Sequence, residues 1–184
     1  MVATQFSPVV TQPLRVLNDA QSLLNRYGAT DEGFQAIGEL LRKFARHPEI
    51  AGLIDAHEPY ASIFNSLVLA EHEFGPTLLL TRIPNGRETP ERKNLSWGIA
   101  CVVRGRDRLT TWRRGPLDGE LNRVGEVDLN AGDFVYFHEP PRDLHSQQGI
   151  GGASWQLVLY GRNPLLKRSP RTTTTKTTHL ELVH

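Results

Sequence analysis

The sequence predicts a mainly β protein, a jelly-roll β-barrel with N-terminal α-helices packed on it. Three observations support this fold class: a helical spacing of apolar residues before about residue 58, a series of short strand-like segments from about residue 62 to 161, and turn-forming residues between those segments. No long helix alternates with the strands, which disfavours a doubly wound α/β fold. A chain of 184 residues is long enough for one domain with a sizeable core.

Two amphipathic helices and a shorter third one are predicted before the first strand. Apolar residues recur three or four positions apart from Leu14 to Tyr27, and Gly28 follows as a suitable C-cap. Asp31 begins a second helix that ends at the His47-Pro48 pair. A third helix is expected around residues 50–54. We expect the apolar faces of these helices to pack on the barrel.

Strand-forming segments rich in β-branched and aromatic residues follow the helices. Glycine, proline and asparagine separate them, as in Pro84-Asn85-Gly86, and many short strands with such turns are typical of a sandwich or jelly roll. The predicted domains are a helical extension over 1–58, the barrel over 59–166 and a disordered, threonine-rich tail over 167–184. The predicted strands are Leu67–Leu69, Thr77–Ile83, Trp97–Val103, Arg108–Trp112, Glu126–Leu129, Phe134–His138 and Trp155–Tyr160.

Composition excludes several functional classes. The net charge is +1, so no basic surface for nucleic acid or an anionic membrane is indicated. No apolar run approaches the ~18 residues of a membrane span, and the N-terminus lacks a secretory signal pattern. The single cysteine, Cys101, cannot form an internal disulfide and lies in an apolar strand, so we expect a core residue and a cytoplasmic location.

Four segments resemble, in order, spacing and glycine positions, the bacterial cysteine dioxygenase branch of the cupins. The resemblance extends over roughly residues 17 to 164 and implies a cupin barrel. In that family, three histidines hold an iron(II) ion that oxidises a small thiol with oxygen. The four segments are Thr89–Gly105, Gly125–Asp133, Tyr136–His145 and Trp155–Gly161.

The same resemblance indicates a degenerate metal site. The family's first two iron-binding histidines are replaced by Arg92 and Asn94, and only the third remains, as His145. A guanidinium group stays protonated and cannot bind a metal, and a neutral amide oxygen is a poor substitute for imidazole. One retained histidine does not hold iron tightly. We therefore expect the protein to work without a cofactor, with iron(II) as the less favoured alternative.

The residues that support the family's reaction have changed as well. A Ser-His-Tyr set places a tyrosine hydroxyl near the bound thiol, and its members correspond here to Gln156, Val158 and Tyr160. The apolar Val158 interrupts the hydrogen-bonded chain. The arginine that binds a substrate carboxylate in many members has no counterpart, because residues 59–69 contain no basic residue.

The leading hypothesis is a diverged, metal-independent cupin that binds a small anionic metabolite and isomerises or cleaves it. Arg92 can form a bidentate pair with a carboxylate where a metal dication would otherwise sit. His145 and Tyr160 are the candidate catalytic residues, because an imidazole can transfer protons near neutral pH. The candidate substrate-binding residues are Arg92, Asn94, Trp97 and Gln156, with Trp97 as an apolar wall.

Other interpretations remain open at this point. An iron-dependent thiol dioxygenase could have a rebuilt ligand set, with His138 joining His145. A non-catalytic cupin could bind a ligand or assemble with other proteins, in which case Arg92 could point to solvent and His145 could be a polar residue at the barrel rim. Cupins often pair through barrel edges, so a homodimer is a further expectation.

Overall fold

The computed structural model describes residues 11–58, 66–73, 75–86, 88–89, 92–93, 96–117, 120–137 and 144–164, with only the backbone at positions 11, 92 and 93. Three helices lie within the predicted N-terminal extension. None of these described helices combines the length and apolar character needed to cross a bilayer. The predicted tail, 167–184, lies outside the described residues. The helices are α1 (Thr11–Tyr27), α2 (Asp31–Ala45) and α3 (Pro48–His57).

The described strands form two antiparallel sheets, here called sheet A and sheet B. Sheet A has the order β1-β2-β9-β4-β7 and sheet B the order β3-β8-β5-β6. Apart from the added edge strand β1, the two four-stranded sheets have the order of a jelly roll, which confirms the predicted mainly β fold with N-terminal helices. The strands are β1 (Ser66–Glu71), β2 (Thr77–Ile83), β3 (Arg92–Lys93), β4 (Gly98–Arg104), β5 (Arg106–Arg114), β6 (Leu121–Asn130), β7 (Phe134–Phe137), β8 (Leu144–Gly149) and β9 (Ser154–Tyr160).

The largest apolar cluster lies between the helices and the outer face of sheet A. Side chains alternate across each strand, so Trp155, Leu157 and Leu159 of β9 face the helices. They pack with Leu17 of α1 and Phe34 of α2, which are fully or almost fully buried. The predicted packing of the helices on the barrel is therefore confirmed, although Leu14 at the start of the predicted stripe is 40% exposed.

The opposite face of sheet A packs against sheet B and forms the barrel interior. Its apolar part consists of two smaller clusters, one around Ala100, Phe137 and Val158 and one around Val102 and Leu109. On β9 the interior positions are Ser154, Gln156, Val158 and Tyr160, which alternate with the helix-facing ones. The interior therefore carries polar side chains at intervals, and these define the candidate site.

Candidate functional site

His145 lies in the barrel interior, close to one end of the barrel. Its side chain is buried, with 6% exposure, and its ring centroid lies 4.7 Å from that of Phe137. The Phe137 ring in turn lies 6.0 Å from the ring of Tyr160. A β-carbon on Gly98 would overlap the Phe137 ring and lie 3.1 Å from Tyr160 Cδ1, so only glycine permits this packing. The two predicted catalytic residues thus line the same end of the interior, here called the His145 end.

The backbone register pairs Arg92 with His145. These two residues are Cα partners on the antiparallel strands β3 and β8. The chain just before β3 is held on β8, because Thr89 N donates to Gln147 O at 2.7 Å and Gln147 N donates to Thr89 Oγ1 at 2.9 Å. This pairing places the backbones of Arg92 and His145 side by side, as a joint role of the two residues requires.

A polar chain on the outer face of β8 fixes this strand further. Trp112 Nε1 donates to Ser146 Oγ at 2.7 Å, and Ser146 Oγ donates to a carboxylate oxygen of Glu88. Ser146 is completely buried. Because Ser146 follows His145 directly, these bonds restrain the strand that carries the imidazole. None of these three residues stands in a sequence pattern that indicates a functional site.

Thr77 supplies an unsatisfied hydroxyl at the His145 end. It is the register partner of Tyr160 and is completely buried. Its Oγ1 has no hydrogen-bond partner within the described part of the chain. Buried hydroxyl groups are nearly always hydrogen-bonded in folded proteins, to protein or to an ordered small molecule. Thr77 is thus a candidate binding residue that sequence reasoning did not find.

Gln156 lies toward the other end of the interior and takes part in a buried cluster with Asp107 and Gln147. Its Nε2 donates to Asp107 Oδ2, and Gln147 Nε2 donates to Gln156 Oε1 at 3.1 Å and to Asp107 Oδ2 at 3.3 Å. Gln156 and Asp107 are both completely buried. We call these three residues the Asp107 cluster. The side chain of Gln156, which was predicted to bind substrate, is thus already hydrogen-bonded to Asp107 and Gln147.

Asp107 is a buried acid, and no cation among the described residues forms an ion pair with it. Burial raises the pKa of Asp107 from 3.8 to about 7, against the opposing effect of nearby N–H groups of Arg108, Gln148 and Gln156. The adjacent guanidinium groups are paired elsewhere: Arg106 Nη2 and Arg108 Nε each lie 2.7 Å from a carboxylate oxygen of Asp128. Asp107 therefore becomes ionised only near neutral pH.

The other predicted site residues have different placements. Trp97 packs on the helix side of sheet A, with its ring centroid 5.5 Å from that of Phe34, and not in the interior as the predicted apolar wall would require. The backbone of Arg92 is described, whereas Asn94 and His138 lie outside the described residues. Their predicted roles stay predictions.

The described residues do not fit the iron site that the resemblance implies. His145 is a suitable imidazole ligand for a metal. Its register partners on the neighbouring strands are Arg92 and Thr111, and neither is a histidine. Within the described ranges, no group of three or more histidine, cysteine, aspartate or glutamate residues is arranged to hold a metal.

A cavity of about 710 Å³ lies outside the barrel interior, between α2 and the edges of both sheets. The Arg42 side chain in its wall is already paired with protein groups. Arg42 Nε donates to Gly132 O at 2.8 Å, and Arg42 Nη1 lies 3.1 Å from Glu39 Oε1. None of the predicted site residues lines it. This cavity therefore does not coincide with the predicted site.

Solved structures that are similar to this chain include cupin proteins. No protein-family model matches the chain, and no curated protein matches it. A cupin superfamily protein from Desulfitobacterium hafniense is 16% identical with a TM-score of 0.42, over 55% of this chain and 80% of that one. The DMSP lyase DddQ from Ruegeria pomeroyi is 17% identical with a TM-score of 0.42, over 56% of this chain and 49% of the lyase. The cupin domain of Schizosaccharomyces pombe Cnp3 is 16% identical with a TM-score of 0.40, over 54% of this chain and 60% of that one. The chain is thus similar to cupin proteins over little more than half of its length, and at these TM-scores the similarity does not bear on its chemistry.

Proposed function

We propose that the His145 end of the barrel binds a small anionic metabolite and that the protein isomerises or cleaves it without a metal ion. The observation that carries the binding proposal is the buried Thr77 Oγ1, which faces the interior beside Tyr160 and lacks a partner among the described residues. A bound molecule with an oxygen or nitrogen atom at this position would satisfy that hydroxyl.

The anionic character of the ligand rests on Arg92. Its guanidinium group is permanently charged and suits a carboxylate or another oxyanion. Directly opposed residues of an antiparallel pair act on one face of a sheet, and Arg92 is the register partner of His145. The proposed ligand therefore has its anionic group near Arg92 and its reacting atoms near the imidazole.

The proposed chemistry is proton transfer by His145. A buried imidazole next to a bound anion can remove a proton from one substrate atom and return it to another, or to a leaving group. The ring of Phe137 packs beside the imidazole and keeps water from that side. Tyr160 supplies a hydroxyl from the neighbouring strand and is proposed to orient the ligand.

Substitution of Arg92 provides the first test. We expect Arg92→Gln to weaken the binding of a small carboxylate tenfold or more, because a charge-assisted pair is lost while a similar side-chain length is kept. Isothermal titration with a panel of small mono- and dicarboxylic acids, and with their neutral amides, measures this. Thr77→Val should weaken binding less, and Arg113→Gln, a change of an exposed strand residue, should leave it unchanged.

The following outcomes would contradict or redirect the proposal. Equal affinity for acids and amides, or unchanged binding in Arg92→Gln, would contradict an anion site. Thiol-dependent oxygen uptake that requires added iron(II) and disappears in His145→Ala would instead support a rebuilt dioxygenase. Binding that persists with no loss of function in His145→Ala would indicate a non-catalytic binding protein.

A further inference from the structure

Two buried oxygen atoms lack partners near the Asp107 cluster. They are Asp107 Oδ1 and Ser154 Oγ, and neither has a hydrogen-bond partner in the part of the chain that the structure describes. Both residues are completely buried. Two unsatisfied oxygens in one small region are unusual, because folded proteins pair nearly all buried polar groups.

The two residues lie at the same end of the barrel interior. Ser154 is two positions before Gln156 on the same face of β9, about 7 Å away along the strand, and the Gln156 amide binds Asp107. A β-carbon built on Gly105, in the turn that leads into β5 two positions before Asp107, would lie 3.3 Å from Ser154 Cβ. The side chains of Asp107 and Ser154 therefore approach the same region from β5 and β9.

Hydrogen-bond acceptors surround this region. Gly149 is the register partner of Asp107, and a β-carbon there would overlap the carbonyl oxygen of Gly152 and lie 2.9 Å from that of Pro84. Gly149 therefore has no room for a side chain, because backbone carbonyl groups already occupy that position, on the face of the sheet that carries Asp107. A region with these acceptors suits a small molecule that can donate hydrogen bonds.

We propose that this end of the barrel is a separate polar site that binds ordered water, a small uncharged hydrogen-bond donor, against Asp107 Oδ1 and Ser154 Oγ. A water molecule donates two hydrogen bonds and also accepts from a hydroxyl, so it satisfies both atoms without adding charge. We call it the Ser154 site.

The Ser154 site is distinct from the proposed ligand site. Tyr160 is four positions beyond Gln156 on β9, a separation of about 13 Å. The interior between the two levels contains apolar side chains, including Val158, Ala100 and Leu109. A ligand at the His145 end therefore does not occupy the Ser154 site, and the two proposals can fail independently.

The sign of the stability change in Ser154→Ala tests the inference. If the hydroxyl binds water, its removal should lower Tm by about 2–4 °C. If the hydroxyl has no partner in solution, the alanine variant should have an unchanged or higher Tm, which would overturn the proposal. Ser66→Ala is the matched control, because Ser66 Oγ already shares a hydrogen bond of 3.1 Å with Thr81 Oγ1. Its Tm should fall in either case.

A room-temperature crystal structure near ~1.2 Å resolution identifies the occupant directly. We expect a density peak at hydrogen-bond distance from Asp107 Oδ1 or Ser154 Oγ, and its loss or displacement in Ser154→Ala. A dry site would contradict the inference. So would an ion with the shorter bonds of a metal, or a Tm increase on adding Na⁺, Mg²⁺ or Ca²⁺ that disappears in Asp107→Asn.

Discussion

Replacing Asp107 with asparagine should remove much of the decrease in stability that the wild-type protein undergoes as the pH rises from about 4 to about 7. Burial raises the pKa of this carboxyl from 3.8 to about 7, so in this range the folded state keeps a proton that the unfolded chain releases. The free energy of unfolding therefore falls as the pH rises, and the loss is complete above about pH 7. A shift of roughly three pKa units corresponds to a penalty on the order of 4 kcal/mol.

Denaturant unfolding of both proteins at pH 5, 6, 7 and 8 measures this effect. The asparagine keeps an oxygen that can accept from Gln147 and Gln156, so the cluster remains bonded. We expect a flatter pH profile for Asp107→Asn and higher stability relative to wild type at pH 8 than at pH 5. Parallel profiles would show that Asp107 is not the buried acid described above.

Asp128→Asn is the matched control for this experiment. Its carboxylate is bound by Arg108 and Arg106, and the Arg108 hydrogen bond holds the pKa of Asp128 below its usual value. The contribution of such a group is present above its unfolded pKa and is lost only as the pH falls through the folded one. Asp128→Asn should therefore leave the slope between pH 5 and pH 8 as in the wild type.

Replacing Gly38 with valine should destabilise the protein by about 3 kcal/mol or abolish folding, because the site has no room for a side chain. Gly38 lies on the buried face of α2, and a β-carbon there would overlap the ring of Phe134 on β7. That ring has limited freedom to move, since the Arg42 guanidinium lies 4.8 Å from its centroid. Thermal unfolding followed by circular dichroism measures the loss.

Gly52→Ala separates this effect from helix propensity. Gly52 lies in α3, and a β-carbon there meets nothing within 4 Å. Alanine is favoured over glycine in a helix by about 1 kcal/mol, so this variant should be unchanged or more stable. Combining Gly38→Val with Phe134→Ala should recover part of the lost stability. No recovery would mean that Phe134 is not the residue displaced.

The helices and most strands could be predicted because their apolar residues repeat at regular intervals. The strand β8 was missed because its interior positions carry His145 and Gln147, so the alternation of apolar and polar residues that identifies a half-buried strand is absent. The two-residue strand β3 has no pattern of its own. Both strands are defined by pairing with distant parts of the chain, which a local pattern does not contain.

The site was only partly predictable for a similar reason. Asp107 lies between Arg106 and Arg108, and this run indicates a solvated face when read in isolation. Its burial comes from pairing with β8 and from β9 across the interior, which are contacts over long sequence distances. Trp97 directly precedes Gly98, which lies on the interior face of its strand. Side chains of consecutive residues in an extended chain face opposite sides, so Trp97 faces the helices and not the interior.

The packing of Cys101 makes the only cysteine of the chain a reporter of helix detachment. Cys101 is completely buried in the cluster between the helices and sheet A, as predicted, and burial raises the pKa of its thiol to about 11. A thiol reagent attacks the ionised sulfur, so the closed protein should react extremely slowly. The labelling rate would then measure how often the helical layer opens while the barrel remains folded.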